Sequence, residues 1–306
     1  MEWIESKIEA IARDRRHGAA QLAGRAVEVL VTLCRRGRAS TPQELTRLVI
    51  TAALRIARIR PSMAPVYNWS LLFARRFSEL TRRAASLEDL RRRGVHLGEE
   101  IRAQQRSLVR QQVESARPLL AACRSLVTLS YSSTVEAILR QALQRHTTVV
   151  IAESRPLFEG RRLFTRIRET HASLRIVTDA QLGLAVARAD LVLVGADSIL
   201  SDLAVVNKTG TYLAALVAKA HHRGFYVAAD TFKIQAALVS STGVLEAKSG
   251  KEVWPRYAES CDNVYFDITP GDLVSGFVTE LGILDGSRMT KEILHRQEVI
   301  ASLGHV

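Results

Sequence analysis

Six short apolar runs, at 125–129, 148–152, 174–178, 190–194, 225–229 and 263–268, punctuate the C-terminal two-thirds of this 306-residue chain. Helical patterning fills most of the gaps between them, notably 132–145, 160–171, 179–188 and 207–222. Runs this short suit strands rather than helices, and a run that is apolar at consecutive positions needs cover on both faces. Strands alternating with helices therefore predict an α/β fold with a doubly wound parallel sheet. Right-handed crossovers lay helices on both of its sides. Two more helices, near 271–282 and 288–302, are expected to close the chain.

Residues 1–118 read as helices throughout. Ile4, Ile8, Ile11 and Ala12 form one apolar stripe at helical spacing. A second helix runs from about Ala19 to Cys34 and ends before Gly37. In Thr41-Pro42-Gln43-Glu44 the threonine caps, the proline fits the first turn and the glutamate reaches back. Ser86 and Asp89 predict the same start for a helix whose apolar face is Leu87, Leu90, Ile101 and Leu108. Its Arg91-Arg92-Arg93 run is expected to face solvent. The chain thus divides into a helical N-terminal domain, 1–118, and a ligand-binding domain, 119–306.

The net charge of +12 is unevenly placed. Residues 1–118 hold 23 Lys and Arg against 12 Asp and Glu, and the remainder holds 20 against 19. Such a basic third suits nucleic acid, acidic protein or phosphorylated small molecules, or is simply a solvated helix surface. Aromatic residues make up 6% and are not interleaved with the arginines, so no base-stacking platform supports a nucleic-acid partner. No motif supports a protein partner for this domain either. Cys34, Cys123 and Cys261 form no CxxC pair, which argues against a zinc site and a disulfide framework. Neither a metal nor a cofactor is called for. No stretch approaches the ~20 apolar residues of a membrane span. The acidic start Met1-Glu2-Trp3-Ile4-Glu5 is unlike a secretion signal, so a cytoplasmic protein is expected.

In an open parallel sheet, ligands bind beyond the carboxyl ends of the strands. The first strand runs into Ser130-Tyr131-Ser132-Ser133-Thr134, whose hydroxyls and helix start make either a phosphate cradle or an ordinary N-cap. After the second strand, Arg155 either forks onto an anion or pairs internally. The fourth delivers Gly195-Ala196-Asp197. An aspartate behind a wholly apolar strand is partly desolvated, which raises its pKa and suits acid/base work, or it caps the next turn. Asn207 and Lys208 fall at the mouth of the following helix, where the amine needs an anion to offset the helix dipole. Lys233, after the fifth strand, is a second cation at this edge and suits a ligand with two phosphates.

At these residues the chain resembles a known family. It joins the alpha, beta and delta subunits of translation initiation factor 2B with ribose-1,5-bisphosphate isomerase and methylthioribose-1-phosphate isomerase. The resemblance rests on Arg16-His17-Gly18-Ala19, Arg60-Pro61-Ser62-Met63-Ala64-Pro65, Glu153-Ser154-Arg155-Pro156 and Gly195-Ala196-Asp197. It continues through Asn207-Lys208-Thr209-Gly210-Thr211, Phe225-Tyr226-Val227-Ala228-Ala229, Phe266-Asp267-Ile268-Thr269-Pro270 and Val278-Thr279-Glu280. It implies a helical N-terminal domain on a Rossmann-like C-terminal domain, assembled as a homodimer or a ring of dimers. It also implies an acid/base pair at Asp197 and Ser130. Ligand contacts would fall on His17, Gly18, Ala19, Ala20, Arg60, Ser132, Ser133, Thr134, Asn207, Lys208 and Lys233.

Two departures stand out. Ser130 occupies the place of a family cysteine, and a thiol, with a reference pKa of about 8.5, moves protons far more readily than a hydroxyl. His17 stands where the bisphosphate isomerases carry arginine. The expected function is isomerisation of a C1-phosphorylated aldose such as ribose 1,5-bisphosphate. The alternative is a non-catalytic regulatory protein that binds a sugar phosphate or nucleotide.

Overall fold

Five helices open the chain: α1 Glu2–Ala12, α2 Ala19–Arg36, α3 Pro42–Arg58, α4 Ala64–Thr81 and α5 Leu87–Ala121. They belong to a computed structural model that describes residues 2–144, 146–169, 173–235 and 247–301. The ends of three expected helices, at 145, 170–171 and 302, lie outside the described residues. The chain separates into two units, one of residues 1–107 with 295–306 and one of 108–294. The division falls inside α5.

In the first unit both expected cap motifs form. Thr41 Oγ1 accepts from the Glu44 N–H at 3.1 Å, while the Glu44 carboxylate accepts from the Ser40 N–H at 2.7 Å. Ser86 Oγ and Asp89 repeat the exchange at the start of α5, at 3.1 and 3.2 Å. Leu22, Leu30, Leu33, Leu45, Ile56, Phe73 and Phe77 fill the core. Each such side chain stabilises the fold by about 1.5–3 kcal/mol. One expectation fails here. Arg92 and Arg93 do face solvent, but Arg91 donates to the carbonyls of Cys34 and Gly37, both at 2.8 Å. It closes the C-terminus of α2, whose last carbonyls would otherwise lack donors.

The second unit is built on a seven-stranded sheet. Its strands are β1 Ser125–Leu129, β2 Thr148–Ala152, β3 Ser173–Val177, β4 Leu191–Gly195, β7 Gly224–Ala228, β9 Gly276–Thr279 and β10 Gly282–Leu284. The order is β10-β9-β7-β4-β1-β2-β3, parallel except for β10. Side chains alternate between two cores, as a period of two requires. Leu126, Leu191 and Leu193 pack toward α6 Ser133–Ala142, α7 Glu159–Ile167 and the end of α5. Val127, Leu129, Val192 and Val194 pack toward α8 Leu182–Arg188, α9 Thr211–Ala220 and α10 Gly286–Ala301. This is the doubly wound α/β arrangement expected. Among the described residues no helix is long and apolar enough to cross a membrane.

Three expectations give way in this unit. The run at 263–268 is not a sixth parallel strand. β8, Phe266–Thr269, pairs antiparallel with β6 Val205–Lys208 in a small sheet completed by β5 Ser198–Ile199. The helix expected near 271–282 is instead a 3-10 turn, Gly271–Leu273, followed by the β9–β10 hairpin. Phe277, Val278 and Thr279 are β-prone, and that preference prevails there over helical spacing. Finally, Asn207 and Lys208 end strand β6 rather than open a helix. Gly210, at φ +106°, turns the chain and α9 starts at Thr211.

Gly210 brings no side chain to cap α9, and Asp267 on β8 supplies the acceptor instead. Its carboxylate takes the N–H groups of Gly210 at 2.7 Å and Tyr212 at 3.1 Å. Burial pushes the Asp267 carboxyl up to about 6, against the pull of the Tyr212, Gly210 and Thr211 N–H groups. The folded pKa is raised, so the neutral form is favoured and this group's contribution to stability declines as pH rises from about 4 to about 6. A shift of this size corresponds to ~3 kcal/mol. Asp267→Asn should remove that dependence. Thermal unfolding across pH 4–8 should show the variant gaining on the wild type through this window. A constant difference in Tm would contradict the assignment.

Candidate functional site

The strand order sets β1 beside β4, with β2 and β3 on one side and β7, β9 and β10 on the other. This reversal is the topological switch point at which open α/β sheets bind ligands. Gly195, the last residue of β4, lies so close to Ser132 that an added Cβ would stand 2.7 Å from its side chain. Only glycine fits, and the chain then delivers Asp197 at the carboxyl edge.

Asp197 is held by its backbone on both sides. Its N–H donates to the Val206 carbonyl at 2.8 Å, next to Asn207 on β6. The preceding carbonyl, Ala196 O, accepts from Lys233 Nζ at 2.6 Å. Lys233 is 3% exposed, so this contact replaces much of the ammonium's lost hydration. The structure thus brings Asp197, Asn207, Lys208 and Lys233 to one edge.

Lys208 has an anion already. Its ammonium, 4% exposed, donates to Glu159 Oε1 at 2.9 Å and lies 4.9 Å from the centre of the Tyr265 ring. Glu159 sits in the first turn of α7, where its charge suits the helix dipole. The expected helix-dipole penalty on Lys208 does not arise, because Lys208 is on a strand and Asp267 fills the start of α9. The Asn207 side-chain amide donates to Thr211 Oγ1 at 3.0 Å, and Thr211 in turn donates to the Lys208 carbonyl at 2.6 Å.

Ser130 has a left-handed φ of 62°, and its N–H donates to Ser154 Oγ at 2.7 Å. Ser154 is anchored in turn, since its N–H and that of Arg155 donate to the Asp179 carboxylate at 2.8 and 2.7 Å. Ser132 accepts from the Val135 N–H at 3.3 Å, so it caps α6 in the ordinary way. Ser133 and Thr134 form the first turn of that helix. Arg155 is exposed, and its guanidinium donates to the Val253 carbonyl at 3.1 Å.

The remaining predicted residues lie in the first unit. Asp14 organises their loop, accepting from the N–H groups of Arg16 and His17, both at 2.8 Å, and from Arg25 at 2.7 Å. The His17 ring also meets Asp14 at 2.8 Å. Partial burial works against ionisation of Asp14, yet the two N–H groups and the His17 ring hold its carboxyl below the usual value. Arg60, 5% exposed, donates to the Asp14 carbonyl at 2.8 Å. Gly18 precedes α2 without a side-chain cap and the first turn carries no acid, so Ala19 and Ala20 open a helix start suited to an anion.

Two carboxylates at the strand ends escaped the reading of the sequence as site residues. One is Glu159, three residues beyond the Glu153-Ser154-Arg155-Pro156 motif. The other is Glu280, which accepts from Thr231 Oγ1 at 2.6 Å. Burial, and then the charge of neighbouring Asp230, raise the Glu280 pKa. Glu159 lies just past one motif and Glu280 ends another, Val278-Thr279-Glu280, and only the fold reveals the partner of each.

An incoming anion must compete with Glu159 for Lys208. Glu159→Gln keeps an acceptor for the ammonium and removes the competing charge. Affinity for a sugar phosphate should rise about tenfold, the lower end of a charge-assisted hydrogen bond. Calorimetric titration measures it, and unchanged or weaker binding would show that Lys208 does not meet the ligand.

The model of the Initiation factor 2 subunit family matches residues 15–286. A Pyrococcus horikoshii protein described as translation initiation factor eIF-2B subunit 2-like is 33% identical over 290 residues, spanning 92% of this chain and 96% of that one. A ribose 1,5-bisphosphate isomerase of Archaeoglobus fulgidus is 26% identical over 291 residues, spanning 93% and 90%. Among solved structures, a translation initiation factor eIF-2B of Pyrococcus horikoshii superposes with a TM-score of 0.80 at 30% identity, covering 95% of this chain and 99% of that one.

Proposed function

This chain belongs to the initiation factor 2 subunit family, and from that premise we propose that it binds a C1-phosphorylated aldose at the strand ends and isomerises it to the ketose. The observation that carries the reading is the placement of Asp197. It stands at the switch point with its backbone tied to Val206 O, and the preceding carbonyl to Lys233, at the edge where β6 ends in the buried Lys208. The isomerases among its relatives support the substrate class, with ribose 1,5-bisphosphate as the first candidate.

The chemistry sets its own demands. A phosphate on C1 blocks spontaneous ring opening, so the C1–ring oxygen bond must break with a proton delivered to that oxygen. Hydride then moves from C2 to C1, and the C2 hydroxyl loses its proton as the carbonyl forms. One proton enters and one leaves, so a single carboxyl can give the first and take the second. Asp197 suffices for this route, and Ser130 need only orient the ligand. Lys208 and Lys233 contribute positive charge for the phosphates, with Lys208 exchanging Glu159 for the ligand.

A second reading, a regulatory protein that binds the sugar phosphate without turning it over, rests on Ser130. Among the described residues no carboxylate or imidazole hydrogen-bonds the Ser130 hydroxyl, so it lacks the adjacent base that a serine needs for proton transfer.

Incubation with ribose 1,5-bisphosphate, followed by NMR of carbon and phosphorus, separates the two. The isomerase reading predicts conversion to the 2-ketose bisphosphate. In Asp197→Asn turnover should fall by roughly 10²–10⁴-fold while affinity stays close to wild type. Binding without conversion would move the chain to the regulatory class, and no binding would remove both readings.

Assembly follows from the same membership. The chain is proposed to form a homodimer or a ring of dimers, supported by Leu184 on α8 and Leu213 and Leu216 on α9, all exposed. Light scattering at micromolar concentration should give at least twice the chain mass of 33.9 kDa. A monomer mass would contradict it.

A further inference from the structure

Glu280 is placed by a rigid device. Thr279 and Gly282 pair across the β9–β10 hairpin, leaving Glu280 and Leu281 as its two-residue turn. Thr279 Oγ1 stiffens that turn, donating to the Gly282 carbonyl at 2.8 Å and accepting from the Leu281 N–H at 3.0 Å. From this fixed point the Glu280 carboxylate accepts from both the N–H of Thr231, at 3.1 Å, and its hydroxyl, at 2.6 Å. Thr231 begins the 3-10 turn Thr231–Lys233, which Asp230 caps through the Phe232 N–H at 3.0 Å. Lys233 ends the turn and reaches Ala196 O at 2.6 Å. The segment beyond it stays in register, with the Gln235 N–H on the Ile199 carbonyl at 2.7 Å.

We propose that Glu280 is the positioning residue of the strand-end site: through Thr231 and Lys233 it fixes the carbonyl of Ala196, and with it the stance of Asp197. The inference rests on the reading that Asp197 and Lys233 serve a sugar-phosphate ligand. A half-buried carboxylate next to Asp230 is costly to ionise, and partial burial, then the Asp230 charge, raise its pKa. The two Thr231 donors offset part of that cost, and a neutral residue would avoid it altogether. What a neutral aliphatic residue could not supply is an acceptor for both donors of Thr231 at once, which is what orients the turn carrying Lys233.

The test is a double-mutant cycle between Glu280→Ala and Lys233→Met, read as affinity for ribose 1,5-bisphosphate by calorimetry. Each single change should weaken binding about tenfold. The double variant should bind no more than about twofold more weakly than Lys233→Met alone, because Glu280 acts through that lysine. Glu280→Gln keeps an acceptor and should recover most of the loss, and Thr231→Val should reproduce part of it. Additive losses in the cycle would overturn the proposal.

A second readout needs no ligand. Amide hydrogen exchange of the peptide 195–199 should be faster in Glu280→Ala and in Lys233→Met, and close to wild type in Glu280→Gln. Unchanged exchange in the first two would overturn the proposal. Failure of the wild type to bind ribose 1,5-bisphosphate would count against the ligand reading instead, leaving exchange to decide the positioning role by itself.

Discussion

Two hydrogen bonds, from the Asp197 N–H to Val206 O and from Lys233 Nζ to Ala196 O, fix the backbone that carries Asp197 out of β4 at the switch point. Much else in the second unit supports them. Gly195 lets the end of β4 press against Ser132. β6 is available to accept from Asp197 because it pairs with β5 and β8 in the small antiparallel sheet. Lys233 reaches Ala196 because the turn after β7 is tied to the β9–β10 hairpin through Glu280. An acid/base group must be held within a fraction of an ångström of its working position, and for the role proposed for Asp197 these two backbone contacts contribute to that constraint.

The electrostatics of this edge rest on pairing within the protein. Lys208 is buried and its charge is met by Glu159, whose own position is set by the start of α7. Breaking a buried pair by removing one partner leaves an unpaired charge and is strongly unfavourable. On the proposed function, a phosphate would substitute one anion for another, so the ammonium would never be left bare. The same logic explains why the start of α9 is not an anion site: Asp267 occupies it from β8. The start of α2 has no such occupant, since Gly18 brings no side chain and no acid follows in the first turn. Of these two helix starts, that of α9 is filled by the protein and that of α2 is suited to an exogenous anion.

Most of the fold was legible because the central strands are apolar on both faces. Leu191-Val192-Leu193-Val194 alternates between two cores, and a run of that kind has few other ways to be buried. Cap motifs were equally readable, since Thr41–Glu44 and Ser86–Asp89 are local. What could not be read was decided by partners distant in sequence. Phe266–Thr269 looks like any other strand until β6 is found beside it. Arg91 looks like the arginines that follow it until the end of α2 is placed beneath it. In the site, the order of motifs put Lys208 at a helix mouth rather than on a strand, but the strand-end positions of Asp197 and Lys233 followed from it. The pairing of Lys208 with Glu159, across 49 residues of sequence, did not. Residue type and spacing can nominate a cation, but only the fold shows which anion it already holds.

The proposed function requires a sugar phosphate to bind at the edge that carries Asp197, Lys208 and Lys233. A crystal structure of the protein grown with ribose 1,5-bisphosphate tests it most directly. The expected result is a phosphate within hydrogen-bonding distance of Lys208 Nζ, with Glu159 displaced from it, and the ring oxygen of the sugar within ~3.2 Å of the Asp197 carboxyl. Ligand bound elsewhere, with the Lys208–Glu159 pair intact and the Asp197 carboxyl untouched, would contradict it.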